Sequence, residues 1–411
     1  MSIAWHRLIS SSQTWLRQIL WAQNKKRNIK CCVSHVSSVA YVWGAGDGGQ
    51  LGTGNQKHSL VPIRLPLLAE ASHIACGYGF TVAVGKGIPR PWTVGLNTFS
   101  QLGRSQMCGD LKIESVPTPV ELYTNPPLSE QVQQISCGRS HSAMLLDNGE
   151  VWTWGGNFHG QCGTGSKEAK VIEKLSKIPN VTSKIKQVTC GLDHTLLLST
   201  DGTVMSCGWG ADGQTGLNHF KDEATCKVIE GELKDVRIKQ IATSGDCCLA
   251  LSDEGEIFSW GNNEYGQLAV DEEDEQFTVP IRATLLRNLP QVQQVAAGGS
   301  FCIALTVPGE LYSWGYGVLG HGKEVSFTKT PRKIEEFSKI DDTISSLICG
   351  PESCAVLTES GNLYTWGRGS FGRLGLGSTL NQWTPKRVEV SGKVMEVTCG
   401  MDHMAAIVAF S

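Results

Sequence analysis

Short strand-like runs, not helical stripes, carry the apolar residues of this 411-residue chain. In SAMLLDNGEVWTWG, TLLLSTDGTVMSCG, LALSDEGEIFSWG and AVLTESGNLYTWG, two apolar-rich strands flank a polar turn containing Asn-Gly, Asp-Gly, Glu-Gly or Ser-Gly. That pattern predicts a β-hairpin. It also recurs. The second strand runs into a glycine-anchored phrase: YVWGAGDGGQLG at 41–52, WTVGLNTFSQLG at 92–103, WTWGGNFHGQCG at 152–163, MSCGWGADGQTG at 205–216, FSWGNNEYGQLA at 258–269, YSWGYGVLG at 312–320 and YTWGRGSFGRLG at 364–375. The anchors Gly44, Gly95, Gly155, Gly208, Gly261, Gly315 and Gly367 are spaced by 51, 60, 53, 53, 54 and 52 residues. A second phrase keeps the same pace, with its first slot at Cys76, Cys137, Cys190, Thr243, Ala297, Cys349 and Cys399, as in ISCGRSHSAML and VTCGLDHTLLL.

Each unit therefore reads as a small antiparallel sheet. A sheet that small cannot bury both faces alone, so the units must stack, and seven units of about 50 residues suit a closed ring of blades. The expectation is an all-β chain folded as a seven-bladed β-propeller over 41–411. In it the Trp of the Trp-Gly pair is an apolar plate against the next blade, and the Gly allows close backbone approach or positive φ. The chain enters on the Trp-Gly phrase and leaves on a Cys-Gly phrase ending at Val408. Neither end holds a whole unit. Strands from both termini must then share the seventh blade, and trimming the last dozen or so residues should open the ring.

Charge changes the picture at one end only. The first 40 residues hold six basic side chains (Arg7, Arg17, Lys25, Lys26, Arg27 and Lys30) and no acid, which leaves −9 for the remainder of a chain whose net charge is −3. That Arg- and Ser-containing, acid-free stretch, with Ile3, Leu8, Ile9, Trp15, Leu16, Ile19 and Leu20 available for an apolar face, has the composition of a mitochondrial presequence. Residues 1–40 are accordingly expected to be removed or to stay outside the fold, and the localisation is expected to be mitochondrial. No stretch reaches the ~18 consecutive apolar residues of a spanning helix, so membrane association, if any, would be peripheral. The 15 cysteines form no Cys-x-x-Cys pair and make no secreted disulfide framework; most are expected to be small buried side chains. No HExxH, GxSxG or phosphate-loop pattern occurs, and neither enzyme chemistry, a cofactor nor a metal is expected.

With Trp-Gly, Gly-Gln-Leu-Gly and Cys-Gly-x-x-His in one unit, the chain resembles the regulator of chromosome condensation repeat family over about nine-tenths of its length, and its spellings CGYGFT, GDCCLA, WGYGVLG and VTCGMDHM resemble a mitochondrial member. That resemblance implies guanine nucleotide exchange on the dynamin-like GTPase that fuses mitochondrial inner membranes. It also implies an alternative, participation in assembly of the mitochondrial large ribosomal subunit with rRNA and its modifying factors. The resemblance further implies, from the family's prototype, that an acidic residue at the Gly-x-Asp-His turn lies on the face that engages the GTPase, a role that carries over to Asp193 and, less directly, to Asp402.

The same turns supply the other candidates. His141, His194 and His403 hold the fifth slot of the Cys-Gly phrase, where other units place Phe80, Cys247, Phe301 and Ser353. A slot that accepts Phe, Cys or Ser is chiefly a packing position, although the histidines, together with Arg139 in the first of these turns, are also candidates for partner contact. For Asp193 and Asp402 two roles stay open, partner binding or capping of the turn's own backbone N–H groups. Outside the turns, Lys167, Lys170, Lys174, Lys177, Lys184 and Lys186 crowd residues 166–186 and are the candidate RNA contacts, because lysines can neutralise phosphates on an otherwise acidic body. The opposite run, DEEDE at 271–275, reads as a solvated loop.

Overall fold

The computed structural model describes residues 37–85, 90–104, 113–120 and 131–410; the presequence reading of 1–40 falls almost wholly outside them. Among the described residues, seven four-stranded antiparallel sheets form in chain order. Six are continuous blades, numbered 1 to 6 here, over 71–119, 132–177, 185–228, 238–282, 292–333 and 344–388. The seventh is shared: strands Lys393–Cys399 and His403–Phe410 from the tail are completed by Ser37–Gly44 and Ser59–Ala69 from the start. Pairing across the closure is unbroken from Ser37 opposite Phe410 to Gly44 opposite His403. The closing strand thus already includes Ser37, ahead of residue 41, because Val39 and Ala40 continue the apolar run and pair with Val408 and Ile407.

Apolar cores lie between blades rather than inside them. Ala75, Phe80, Val82 and Leu102 of blade 1, for example, pack with Val132, Met144, Leu146 and Trp154 of blade 2. Trp43, Trp154, Trp260, Trp314 and Trp366 are fully buried at five of these joints. Each removes on the order of 200 Å² from water, worth on the order of 5 kcal/mol at ~25 cal/mol per Å². Four also reach across the joint: the indole N–H donates to the carbonyl of Arg373, Gln101, Gln214 and Gln267, respectively, for Trp43, Trp154, Trp260 and Trp314, at 2.8 to 3.0 Å. Trp366 Nε1 alone among them has no partner.

The adjoining glycine satisfies both sequence-based expectations at once. All seven anchors have φ between +93° and +128°. A β-carbon on Gly155 would also fall 2.4 Å from the Ser140 carbonyl oxygen, so any other residue is strained and in collision there.

A further staple crosses five of the seven joints of the inner ring. In the third position of successive inner strands, Gln134, Gln187, Gln240 and Gln294 each accept the backbone N–H of Val188, Ile241, Val295 or Leu347 in the next blade, all at 3.0 Å. Glu396 performs the same task at the closure, accepting from Ile74 N–H at 3.0 Å and facing His73 at 3.3 Å. The QQ and KQ pairs that open these strands carried this signal in the sequence.

Candidate partner-binding face

In a four-stranded up-and-down blade, the turn between the first and second strands and the loop between the third and fourth emerge at the same end. The Cys-Gly turns and the Gly-Gln loops therefore share one face. The turns form a closed inner ring, with Arg139 N–H donating to Leu192 O and Gly299 N–H to Pro351 O, both at 3.0 Å. Their second-slot glycines are forced by this packing, since a β-carbon on Gly138 would sit 2.6 Å from Gly191 O and one on Gly400 2.7 Å from Gly77 O.

The histidines lie beneath that ring. His141, His194 and His403 are fully buried under Gly138, Gly191 and Gly400. Their Nε2 atoms meet Thr195 Oγ1 at 3.0 Å, Thr243 Oγ1 at 3.1 Å and Thr81 Oγ1 at 2.7 Å. Each threonine spends its own hydrogen on a backbone carbonyl, of Gln161, Cys247 and Gln50 in turn, so the imidazole is the donor. Burial pulls all three pKa values down to about 3 and keeps the rings neutral. Direct partner contact is closed to them; they pin each turn to the next blade, and Phe80 and Phe301 fill the same space under Gly77 and Gly298.

The carboxylates of the face divide by their partners. Asp193 is sealed, its side chain 3% exposed, and it accepts from Arg139 Nη2 and, at 3.3 Å, from Gln161 Nε2. Arg139, 49% exposed, covers it. Asp402 is a third exposed and pairs with Arg373 at 2.8 Å; Arg373 in turn holds Glu352 at 2.9 Å, and Arg368 holds Glu352 at 3.0 Å. Burial pushes the Asp402 carboxyl up while Arg373 opposes the shift.

Asp246, in the equivalent slot of blade 4, has no cation within ion-pair distance among the described residues. Its carboxylate there accepts only from Gln214 Nε2, at 3.2 Å. Burial, reinforced by the charge of Asp212, pushes its pKa up to about 6. Tyr78, from the blade 1 turn, feels Asp246, Asp402 and Glu352 of three other blades as well as Arg139; burial foremost, then Asp246, raises its pKa. Tyr78 and Glu352 were missed from sequence because their units depart from the Asp-His spelling.

The six lysines are not brought together. Lys167 and Lys170 lie in the loop at this face, Lys174 and Lys177 on the outer strand of blade 2, and Lys184 and Lys186 at the opposite end. Lys167 pairs with Asp222 at 3.8 Å and Lys177 with Glu150 at 2.5 Å. Lys186 donates to Ile238 O at 3.1 Å, and burial lowers its pKa. The DEEDE loop, by contrast, is exposed throughout and lies at the same end as Asp246. Among the described residues no three His, Cys, Asp or Glu side chains are grouped to hold a metal, and all twelve cysteines are free thiols, buried or half-buried.

Residues 39–406 match the RCC1-like domain family. The chain belongs to that family. It is 41% identical over 363 residues to the mouse RCC1-like G exchanging factor-like protein, covering 84% of this chain and 78% of the relative. Human WBSCR16 superposes with a TM-score of 0.83 at 36% identity, covering 90% of this chain and 98% of that one. Yeast RCC1 (Prp20), in complex with Kap60, superposes at 0.78 with 25% identity over 94% and 95% of the two chains. Prp20 has also been characterised for binding to Gsp1p and histones. The seven-bladed architecture of the RCC1-like family is the one built here from hairpin, Trp-Gly joint and shared closing blade.

Proposed function

We propose that this RCC1-like propeller is a guanine nucleotide exchange factor that engages its GTPase through the ring of Cys-Gly turns. The observation that carries the reading is Asp246: a mostly buried carboxylate that feels Asp212, with no ion-pair partner among the described residues, since Arg139, the cation acting on it, is paired to Asp193. Such a group is costly in the free protein and is relieved by a cation delivered from outside. A basic side chain of the GTPase, such as one that otherwise grips nucleotide phosphates, fits that need. The likeness to a G exchanging factor-like protein and to RCC1 supports the same reading.

Exchange needs no covalent step. A factor that binds the nucleotide-free GTPase more tightly than the loaded form must weaken nucleotide affinity by the same ratio. In this reading the rigid ring holds Asp246 in place, Asp193 and Arg139 cancel one another, and Asp402 belongs to the Arg373 cluster. The finer assignment is to the dynamin-like GTPase of mitochondrial inner-membrane fusion, with the chain inside mitochondria and at most peripherally on the membrane. It draws on the basic, acid-free start of the chain. The ribosome-assembly alternative has no comparable feature, because its lysines are dispersed from one end of the propeller to the other. The test is release of labelled GDP from that GTPase: acceleration by the 37–411 propeller supports the assignment, and an unchanged rate refutes it. Import of the full chain into isolated mitochondria, with loss of the leading segment, tests the location.

A further inference from the structure

The loop of blade 5 is the irregular one. From the residue before the anchoring glycine to the loop-closing position, the other six loops advance nine residues, as from Trp43 to Gly52 or Trp260 to Ala269, whereas Trp314 to Gly320 advances six. Strand register survives: Ser313 Oγ donates to Leu319 O at 2.7 Å as Ser259 Oγ does to Leu268 O at 2.8 Å. The missing residues therefore come out of the loop itself, on the face described above. Val318 stands where blade 4 has Gln267, whose carbonyl accepts from Trp314. The corresponding donor in blade 6, Trp366 Nε1, is left buried without an acceptor. An orphaned buried N–H is destabilising.

The omission leaves a notch of about 110 Å³ in the face between blades 5 and 6. Phe301, Tyr316, Val318 and Pro351 line it beside Ser300, Glu352 and Arg368. Tyr316 is 46% exposed and stacks on Tyr265 at 5.0 Å, which holds its ring upright. Glu352 is already neutralised by Arg368 and Arg373. The notch thus offers apolar walls and no unspent charge. A lysine or a carboxylate finds no counter-ion there, whereas an apolar side chain displaces a volume of roughly three to four waters and gains by doing so.

We propose that this notch is a socket for one uncharged, apolar side chain of the GTPase, aromatic by preference because it would lie against Tyr316. The socket rests on the exchange reading above and adds to the charged contact at Asp246 an anchor of the other kind found at interface hot spots. Recognition then has two parts: a cation satisfied over blade 4 and an apolar residue seated between blades 5 and 6.

The test rebuilds the regular loop. Residues 316–319 are replaced by the seven residues 262–268 of blade 4, which restores the regular loop, sets a backbone carbonyl where Gln267 O accepts from Trp314, and fills the notch. The expected result is a thermal midpoint equal to or above the unaltered chain. Affinity for the nucleotide-free GTPase domain of the inner-membrane fusion protein, read by fluorescence anisotropy, should fall tenfold or more. Tyr316→Ser, at an exposed position that the fold tolerates, should lower affinity about fivefold and decides the matter if the rebuilt loop does not fold. Unchanged affinity with Tyr316→Ser or with a folded rebuilt loop overturns the socket while leaving exchange standing. An unaltered chain with no affinity for the GTPase domain overturns both.

Discussion

Asp193 and Asp246 occupy the same slot of adjacent blades, and the structure gives them opposite fates. Asp193 belongs to the better motif match, CGLDH, and is the one neutralised: Arg139 reaches it from the preceding blade and covers it. Asp246 sits in the degenerate phrase TSGDC and keeps its charge problem: Asp212 opposes its ionisation, and Arg139, which favours it, is paired to Asp193 instead. Motif agreement in a repeat protein marks what every blade needs to close the ring. The position left unsatisfied by its neighbours is where a partner has something to supply.

The largest effect should separate the two in exchange. Asp246→Asn keeps the shape and the Gln214 contact but removes the charge, and it should cost on the order of 100-fold in stimulated GDP release, in line with the roughly 2–5 kcal/mol of truncated buried charge contacts. Asp193→Ala should leave stimulated release within about threefold per folded molecule. If the two variants lose equally, the distinction fails.

Stability should invert the order. Asp193→Ala strands Gln161 Nε2 and frees Arg139, and a loss of about 2 kcal/mol in denaturant unfolding is expected, below the ~3–5 kcal/mol of a fully buried pair because Arg139 is half exposed. Asp246→Asn should match or exceed the unaltered chain at pH 7. The reason is the direction of its shift: with a pKa of about 6 when folded and about 3.9 when unfolded, Asp246 holds an extra proton in the native state only between those values, and at pH 7 the folded chain bears the cost of ionising it in a buried place. Its contribution to stability is therefore present at low pH and lost as pH rises through 6.

Partner binding should run the other way with pH, since the cation needs the ionised carboxylate. Affinity for the GTPase is expected to fall up to about tenfold per unit below pH 6, and Asp246→Asn should flatten that limb where Asp193→Ala does not. A pH profile identical in both variants would dissolve the comparison.

The smallest effect concerns the joints. Trp314→Phe deletes a hydrogen bond to Gln267 O and leaves that carbonyl unpaired, whereas Trp366→Phe removes a donor that had no acceptor. Trp314→Phe should be the more destabilising by about 1 kcal/mol; equal losses would mean that Trp366 Nε1 has a partner in solution.

The fold was legible because a propeller repeats its physics. The spacing of the anchoring glycines fixed seven units, the phase of the two ends fixed the shared blade, and the tolerance of the histidine slot for Phe already spoke for packing. The site was only partly legible. Whether a carboxylate is satisfied depends on a residue more than 50 positions away, as Arg139 is from Asp193, and no single unit contains that information. The glutamine ladder was written in the sequence as QQ and KQ pairs, yet its purpose appears only when the next blade's backbone is set beside it. The lysine run misled in the opposite sense: contiguous in sequence, it is drawn out by the outer strand from one end of the molecule to the other.

The most direct measurement is GDP release from the inner-membrane fusion GTPase with the 37–411 propeller and its Asp246→Asn variant, side by side at pH 7.5. Strong acceleration by the first and near-background release with the second is the predicted result. Equal acceleration by both would contradict the role given to Asp246, and no acceleration by either would contradict the exchange function itself.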